Sequence, residues 1–298
     1  MDASGTSGMD ASRSEVLSVE VDAGVGILWL DRPEARNAMG PAFFNDLPGV
    51  VGALDADPEV RAIVVAARGP HFSVGLDLKA MASVLAGDGT AGGPRPGDPS
   101  SEKPAQPSMA YRAQAARREI IRLQGAITSV AQCTKPVVAA IHGYCIGGGV
   151  DLAAACDIRL ASSDALFSVR ETRMAIVADL GSLQRLPAII PAGHLAELAF
   201  TGRDIDAARA LRIGLVNDVL PDAAAALDAA RAVAAEIAAN SPLAVQGTKA
   251  VLAACRNRTL EEGLDYVATW NAGFLQSDDL VEAMSAFLSK REPYFRGR

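Results

Sequence analysis

Residues 142–186 read HGYCIGGGVDLAAACDIRLASSDALFSVRETRMAIVADLGSLQRL. A triple glycine, Gly147 to Gly149, opens an apolar helix. Three acids, Asp151, Glu171 and Asp179, fall in a segment otherwise short of buried-type charge. Glycines after a strand leave backbone N–H groups unobstructed at a helix N-terminus, where they face developing negative charge. The run PVVAAIHGYC just ahead is apolar enough for a buried strand, and residues 157–160 and 165–169 read as two further short strands. This strand, strand, helix rhythm predicts an α/β fold that is not a simple doubly wound sheet.

Upstream, residues 16–21 and 25–30 alternate in polarity about an Asp-Ala-Gly turn, which predicts an antiparallel hairpin. RPEARNAMGPAFFNDLPGVVGALDAD follows as a loop and a helix, and RAIVVAARG as a fully apolar strand. PHFSVGLDLKAMASVLAG is a turn that passes into a helix at about Leu76. Residues 86–107 are too rich in Gly, Pro and Ser to pack, and a mobile loop is predicted there. From Met109 to about Cys133, Ile120, Leu123, Ile127 and Val130 share one face of a long helix. After a return strand near residues 216–220 the chain is helical, with helices capped by Asp222, by Thr259 with Glu262 three residues on, and by Asp278. The division is a disordered tail over 1–14, an α/β core over 15–221 and a helical region over 222–298.

The chain has 298 residues, half of them apolar, enough for a sizeable core. No apolar run approaches a membrane span, and the first residues lack a signal peptide's basic flank and apolar centre. Net charge is −7 with scattered basic residues, which argues against nucleic acid as a partner. Cys133, Cys145, Cys156 and Cys255 form no CxxC pair and read as reduced core thiols, and His71, His142 and His194 share no metal-ligand spacing with them. No metal is predicted. The C-terminus PYFRGR lacks a Ser-Lys-Leu peroxisomal address, so the cytoplasm is the expected compartment.

Two segments can supply an oxyanion hole. In HFSVGLDL the Val74-Gly75 turn precedes a helix, and in CIGGGVDL Gly148 sits at a helix entrance, so the N–H groups of Val74 and Gly148 can converge on one oxygen. Each acid taken alone has a structural explanation: Asp151 complements the helix dipole, Glu171 is a surface turn residue, and Asp179 caps the helix beginning near Gly181. Together, beside a glycine-led helix in an apolar segment, they point to proton transfer, because isolated buried charge is expensive.

The pairing of FSVGLDL with KPVVAAIHGYCIGGGVDLAAACDIRLASSDALFSVRE resembles the crotonase (enoyl-CoA hydratase/isomerase) superfamily, as does GRDIDAARALRIGLVNDVL. The resemblance covers the chain from about Val16 onward. It implies a spiral of ββα repeats with a C-terminal helical trimerisation region, a homotrimer or hexamer, and acyl-CoA thioester substrates. No cofactor is implied, CoA being part of the substrate. The thioester oxygen would lie between the N–H groups of Val74 and Gly148. Ser73, Gly75, Leu76 and Asp77 would line the substrate, and Glu34, Ala35 and Arg36 would contact the nucleotide part of CoA.

Hydratases of this family carry glutamates at the positions of Asp151 and Glu171 and a glycine at that of Asp179. The acids here are similar to those of the Δ3,5-Δ2,4-dienoyl-CoA isomerase subgroup. That likeness implies Glu171 as the base at C2, Asp179 as the acid at C6 and Asp151 as an orienting, pKa-tuning neighbour. An enoyl-CoA hydratase and a non-catalytic acyl-CoA-binding or RNA-associated scaffold are the alternatives.

Overall fold

The computed structural model describes residues 14–82 and 108–298. All but the last residue of the N-terminal tail and the whole of the Gly/Pro segment 86–107 lie outside the described residues.

A hairpin opens the fold, with β1 (Leu17–Asp22) antiparallel to β2 (Val25–Leu30). Its two turn residues, Ala23 and Gly24, both have positive φ (47° and 84°), the geometry whose twist matches the strands it joins. The remaining strands of this sheet, β3 (Ala62–Ala67), β4 (Val137–Ile141), β6 (Ile158–Ser162) and β9 (Asp218–Leu220), add in parallel, in the order β1-β2-β3-β4-β6-β9. A second sheet holds β5 (Tyr144–Ile146), β7 (Leu166–Ser168) and β8 (Ile205–Asp206). Each turn of the chain thus gives one strand to the large sheet and the next to the small one. β4 and β5 form one such pair, β6 and β7 the next. β3 is followed by Ser73, which bridges to Cys145 of β5. That repetition is the crotonase-like spiral.

Side-chain alternation explains how both faces of the large sheet are filled. Leu28, Leu30, Ile63 and Val65 point into the main core, beneath the helices Pro41–Ala56 and Met109–Gln132. Val25, Ile27, Trp29, Val64 and Val138 point the other way, against the helix Ala223–Ala238. That helix presents Ala230, Ala234 and Ala238 at intervals of four, and with methyl-sized contacts it lies close on the strands. Its sequence position groups it with the helical region from residue 222, but it completes the sheet's second face. Helices Pro242–Cys255, Leu260–Phe274 and Asp278–Leu288 follow. The Thr259 and Glu262 capping box is formed as read, whereas the last helix is capped by Ser277, whose hydroxyl accepts from the Leu280 N–H, and not by Asp278. Among the described residues no helix is long and apolar enough to cross a membrane.

Candidate active site

The turn after β3 and the turn after β5 are built against each other. Phe72 and Ser73 donate to the carbonyls of His142 and Tyr144, and Ile146 donates back to Ser73, so the two segments run side by side. Gly75 has φ +84°, and a Cβ there would stand 2.7 Å from the Ile146 carbonyl oxygen and 3.2 Å from the Gly148 nitrogen. Only glycine lets these backbones approach so closely. Gly149 is constrained in the same way, since its Cβ would meet the Ser73 carbonyl at 3.0 Å.

This packing corrects the assignment of Val74. Its N–H donates to the Arg36 carbonyl at 3.2 Å, while Gly75 donates to the Ser73 hydroxyl and Asp77 to the Met39 carbonyl. Among the described residues the Leu76 N–H has no acceptor, and neither has that of Gly148 at the start of the helix Gly148–Ala155. Three N–H groups of these turns, those of Leu76, Gly148 and Gly149, are thus without an acceptor among the described residues, and Leu76 replaces Val74 as the candidate donor of the first turn. Leu76 does not begin a helix either. It bridges to Met39, and a turn follows.

The same contacts bring the Glu34–Arg36 loop against this turn. Pro33–Ala35 is a single 3-10 turn, and the left-handed Arg36 and Asn37 behind it let Asn37 reach the carbonyls of Arg68 and His71 at 2.9 and 2.8 Å. Of the other residues expected to line a ligand, Ser73 is fully buried and its hydroxyl donates to the Asn37 carbonyl. Asp77 pairs with Arg32 at 2.8 Å and accepts from the Ala80 N–H. Both side chains are engaged in building the turn.

The three acids converge. Asp151, in the first turn of the glycine-led helix, is 1% exposed, and its Oδ1 accepts from the Ser182 N–H at 2.5 Å. Burial first, and then the neighbouring Glu171 carboxylate, push its carboxyl up to about 7. Glu171 opens a short 3-10 turn, Glu171–Met174, and its Oε1 lies 3.1 Å from where a Cβ on Gly147 would sit. Its other oxygen is buried with no hydrogen-bond partner among the described residues. Burial raises the Glu171 pKa, the Asp179 charge adds to the rise, and burial also raises that of the half-buried Asp179. Asp179 is not a helix cap: Gly181 holds the N-cap position, and the carboxylate that takes the Ser182 N–H belongs to Asp151. Three neighbouring carboxyls with raised affinities for protons, beside a helix entrance whose first N–H groups have no acceptor among the described residues, are a set suited to moving protons next to developing negative charge.

A cavity of about 1060 Å³ lies elsewhere, lined by Ile158, Leu243, Trp270 and Phe274 among others. None of the three acids borders it. It is an apolar junction between the C-terminal helices and the sheet.

The enoyl-CoA hydratase/isomerase family model matches residues 20–92 and 108–298. A peroxisomal Delta(3,5)-Delta(2,4)-dienoyl-CoA isomerase of Arabidopsis thaliana is 43% identical over 281 residues, 94% of this chain and 96% of that protein. The mitochondrial enzyme of the same name from Rattus norvegicus is 43% identical over 264 residues, covering 88% and 76% respectively. Among solved structures, an enoyl-CoA hydratase from Bacillus anthracis superposes with a TM-score of 0.81 at 28% identity, covering 95% of this chain and all of that one. These relatives correct the cytoplasmic expectation, since they are named for the peroxisome and the mitochondrion. The lack of a terminal Ser-Lys-Leu tests one receptor-read address and no other.

Proposed function

The chain belongs to the enoyl-CoA hydratase/isomerase family, and on that premise we propose that it converts 3,5-dienoyl-CoA to 2,4-dienoyl-CoA. The thioester oxygen accepts from the N–H groups of Leu76 and Gly148. Glu171, ionised, takes a proton from C2, and the electron pair spreads over the dienolate while those two donors hold its oxygen. Asp179, protonated, delivers a proton to C6 as the double bonds move from C3 and C5 to C2 and C4. One proton leaves the substrate and one enters, so the product is an isomer. The cycle closes when Glu171 gives up its proton to solvent and Asp179 regains one.

The observation that carries this reading is a second carboxyl, that of half-buried Asp179, whose charge acts on the buried Glu171 and whose own affinity for a proton is raised by burial. Removing a proton at one end of an extended dienolate and adding one at the other needs groups at two places, and water addition does not call for the second. Asp151 orients: its carboxylate holds the Ser182 N–H and so the start of the helix after Asp179. Purified protein given 3,5-dienoyl-CoA should produce the conjugated diene absorbance of the 2,4-isomer faster than it hydrates 2-enoyl-CoA. Hydration of 2-enoyl-CoA with no diene formation would make it a hydratase, and turnover of neither an acyl-CoA-binding scaffold.

The reading includes assembly as a trimer or a pair of trimers. What supports this is that Leu264 and Phe287, at 59% and 82% exposure, lie on the C-terminal helices with the exposed Val281 and Met284, apolar side chains that neighbouring copies would cover.

A further inference from the structure

The two acids are held by different parts of the fold. Around Glu171 the anchors are local or come from the helix Ala192–Thr201: Ile176 donates to the Glu171 carbonyl, the Thr172 hydroxyl to the Ala199 carbonyl at 2.9 Å, and Arg173 to the Thr201 carbonyl. Around Asp179 they come from the long helix Met109–Gln132. The Gln124 amide donates to the Asp179 carbonyl at 2.7 Å. Arg185 donates to the next carbonyl, that of Leu180, at 3.2 Å and to the Thr128 hydroxyl at 2.9 Å.

Gln124 and Thr128 are four residues apart and so share one face of their helix. That helix is fixed in the core by buried Leu123, Ile127 and Val130. Arg185 is half-buried; its charge acts on Asp151 from beyond ion-pair distance, and its hydrogen bonds go to this carbonyl and hydroxyl, which is why the charge-keeping Lys variant is part of the test. Gly181 gives it room: at φ +125°, a Cβ there would lie 1.7 Å from the guanidinium nitrogen Nη1.

Resting on the proposed reaction, we infer that Gln124, Thr128 and Arg185 form a positioning clasp for Asp179 alone, which governs proton delivery to C6 without governing proton removal at C2. None of the three reaches a reacting atom. Their effect is through the backbone at Asp179 and Leu180, where a displacement on the order of an ångström is enough to slow a proton transfer strongly. Because the residues after Glu171, Thr172 and Arg173, are bonded to the Ala192–Thr201 helix, a loosened clasp leaves the turn that carries Glu171 in place.

The two half-reactions can be read separately in heavy water. Exchange of solvent deuterium into C2 of recovered 3,5-dienoyl-CoA reports Glu171 and the oxyanion donors, and diene absorbance reports arrival of the proton at C6. Gln124→Leu and Arg185→Met should lower diene formation by roughly tenfold or more while C2 exchange stays within about threefold of the parent. Arg185→Lys, which keeps a donor, should recover part of the loss. A parallel fall in both rates, or an unchanged ratio, overturns the inference. If the larger substitutions prevent folding, the nearly isosteric Thr128→Val carries the same test, with the same ratio deciding. Asp179→Asn in this assay separates the two levels. If it isomerises at the parent rate, the proposed reaction falls. If it fails while the clasp variants keep the parent ratio, only the clasp falls.

Discussion

Replacing Asp151 by Asn should make the protein more stable, by a margin that opens as pH rises from about 4 and is full from about pH 7 upward. Asp151 is buried, has no cationic side chain in an ion pair with it among the described residues, and sits in the field of Glu171. Its carboxyl ordinarily titrates at 3.8 and does so at about 7 in the fold. Below the lower value it is protonated in both folded and unfolded chains. Between the two, only the folded chain holds the proton, so its contribution to stability is lost as pH rises through this window and is level beyond it. At about 1.4 kcal/mol for each pH unit of that gap, the ionised group costs the fold up to roughly 4 kcal/mol at pH 8. Asn is close in shape, can still accept from the Ser182 N–H and never ionises. Urea unfolding followed by circular dichroism at one fixed protein concentration should therefore show Asp151→Asn ahead of the parent by on the order of 1–4 kcal/mol at pH 8, the gap closing near pH 4. A gap that is the same at both pH values, or a variant weaker at pH 8, would refute the reasoning. Such a charge kept at a cost to stability is what a functional site requires.

Two further outcomes follow from the geometry. Gly75→Ala forces a Cβ to within 2.7 Å of the Ile146 carbonyl in a backbone conformation that L-residues avoid. It should shift the Leu76 N–H and reduce turnover by about a hundredfold, with thioester binding measured by calorimetry affected far less; full activity would dismiss Leu76 as a donor. Light scattering at micromolar concentration should give a mass that is a multiple of three chains, and a stable monomer would contradict the assembly.

Much of the fold was legible because its signals are local. The β1-β2 hairpin follows from strict alternation about Asp-Ala-Gly, and the buried parallel strands from their unbroken apolar runs. The gathering of Asp151, Glu171 and Asp179 followed from the improbability of three unpaired acids in such a segment. What escaped depends on contacts distant in the chain. Val74 and Leu76 flank the same glycine, and which N–H is left free is decided by the Arg36 carbonyl, some forty residues away. The helix Ala223–Ala238 looked like part of a tail because alanine gives a weak hydrophobic signal, yet small residues are what a close helix-on-sheet contact uses. Asp179 has the residue type and position of a cap for the helix near Gly181, and only the fold shows the Ser182 N–H held by Asp151 instead. Gln124 and Thr128 resemble the solvated face of an amphipathic helix, and only the folded chain brings Asp179 and Arg185 to them.

The division of labour between Glu171 and Asp179 is tested most directly by Asp179→Asn, which is nearly isosteric but cannot deliver a proton. With 3,5-dienoyl-CoA in heavy water, the account predicts that formation of the 2,4-diene falls by roughly two to four orders of magnitude while deuterium still enters C2 at close to the parent rate. Diene formation at the parent rate, or loss of C2 exchange together with it, would contradict the assignment of Asp179 as the acid at C6.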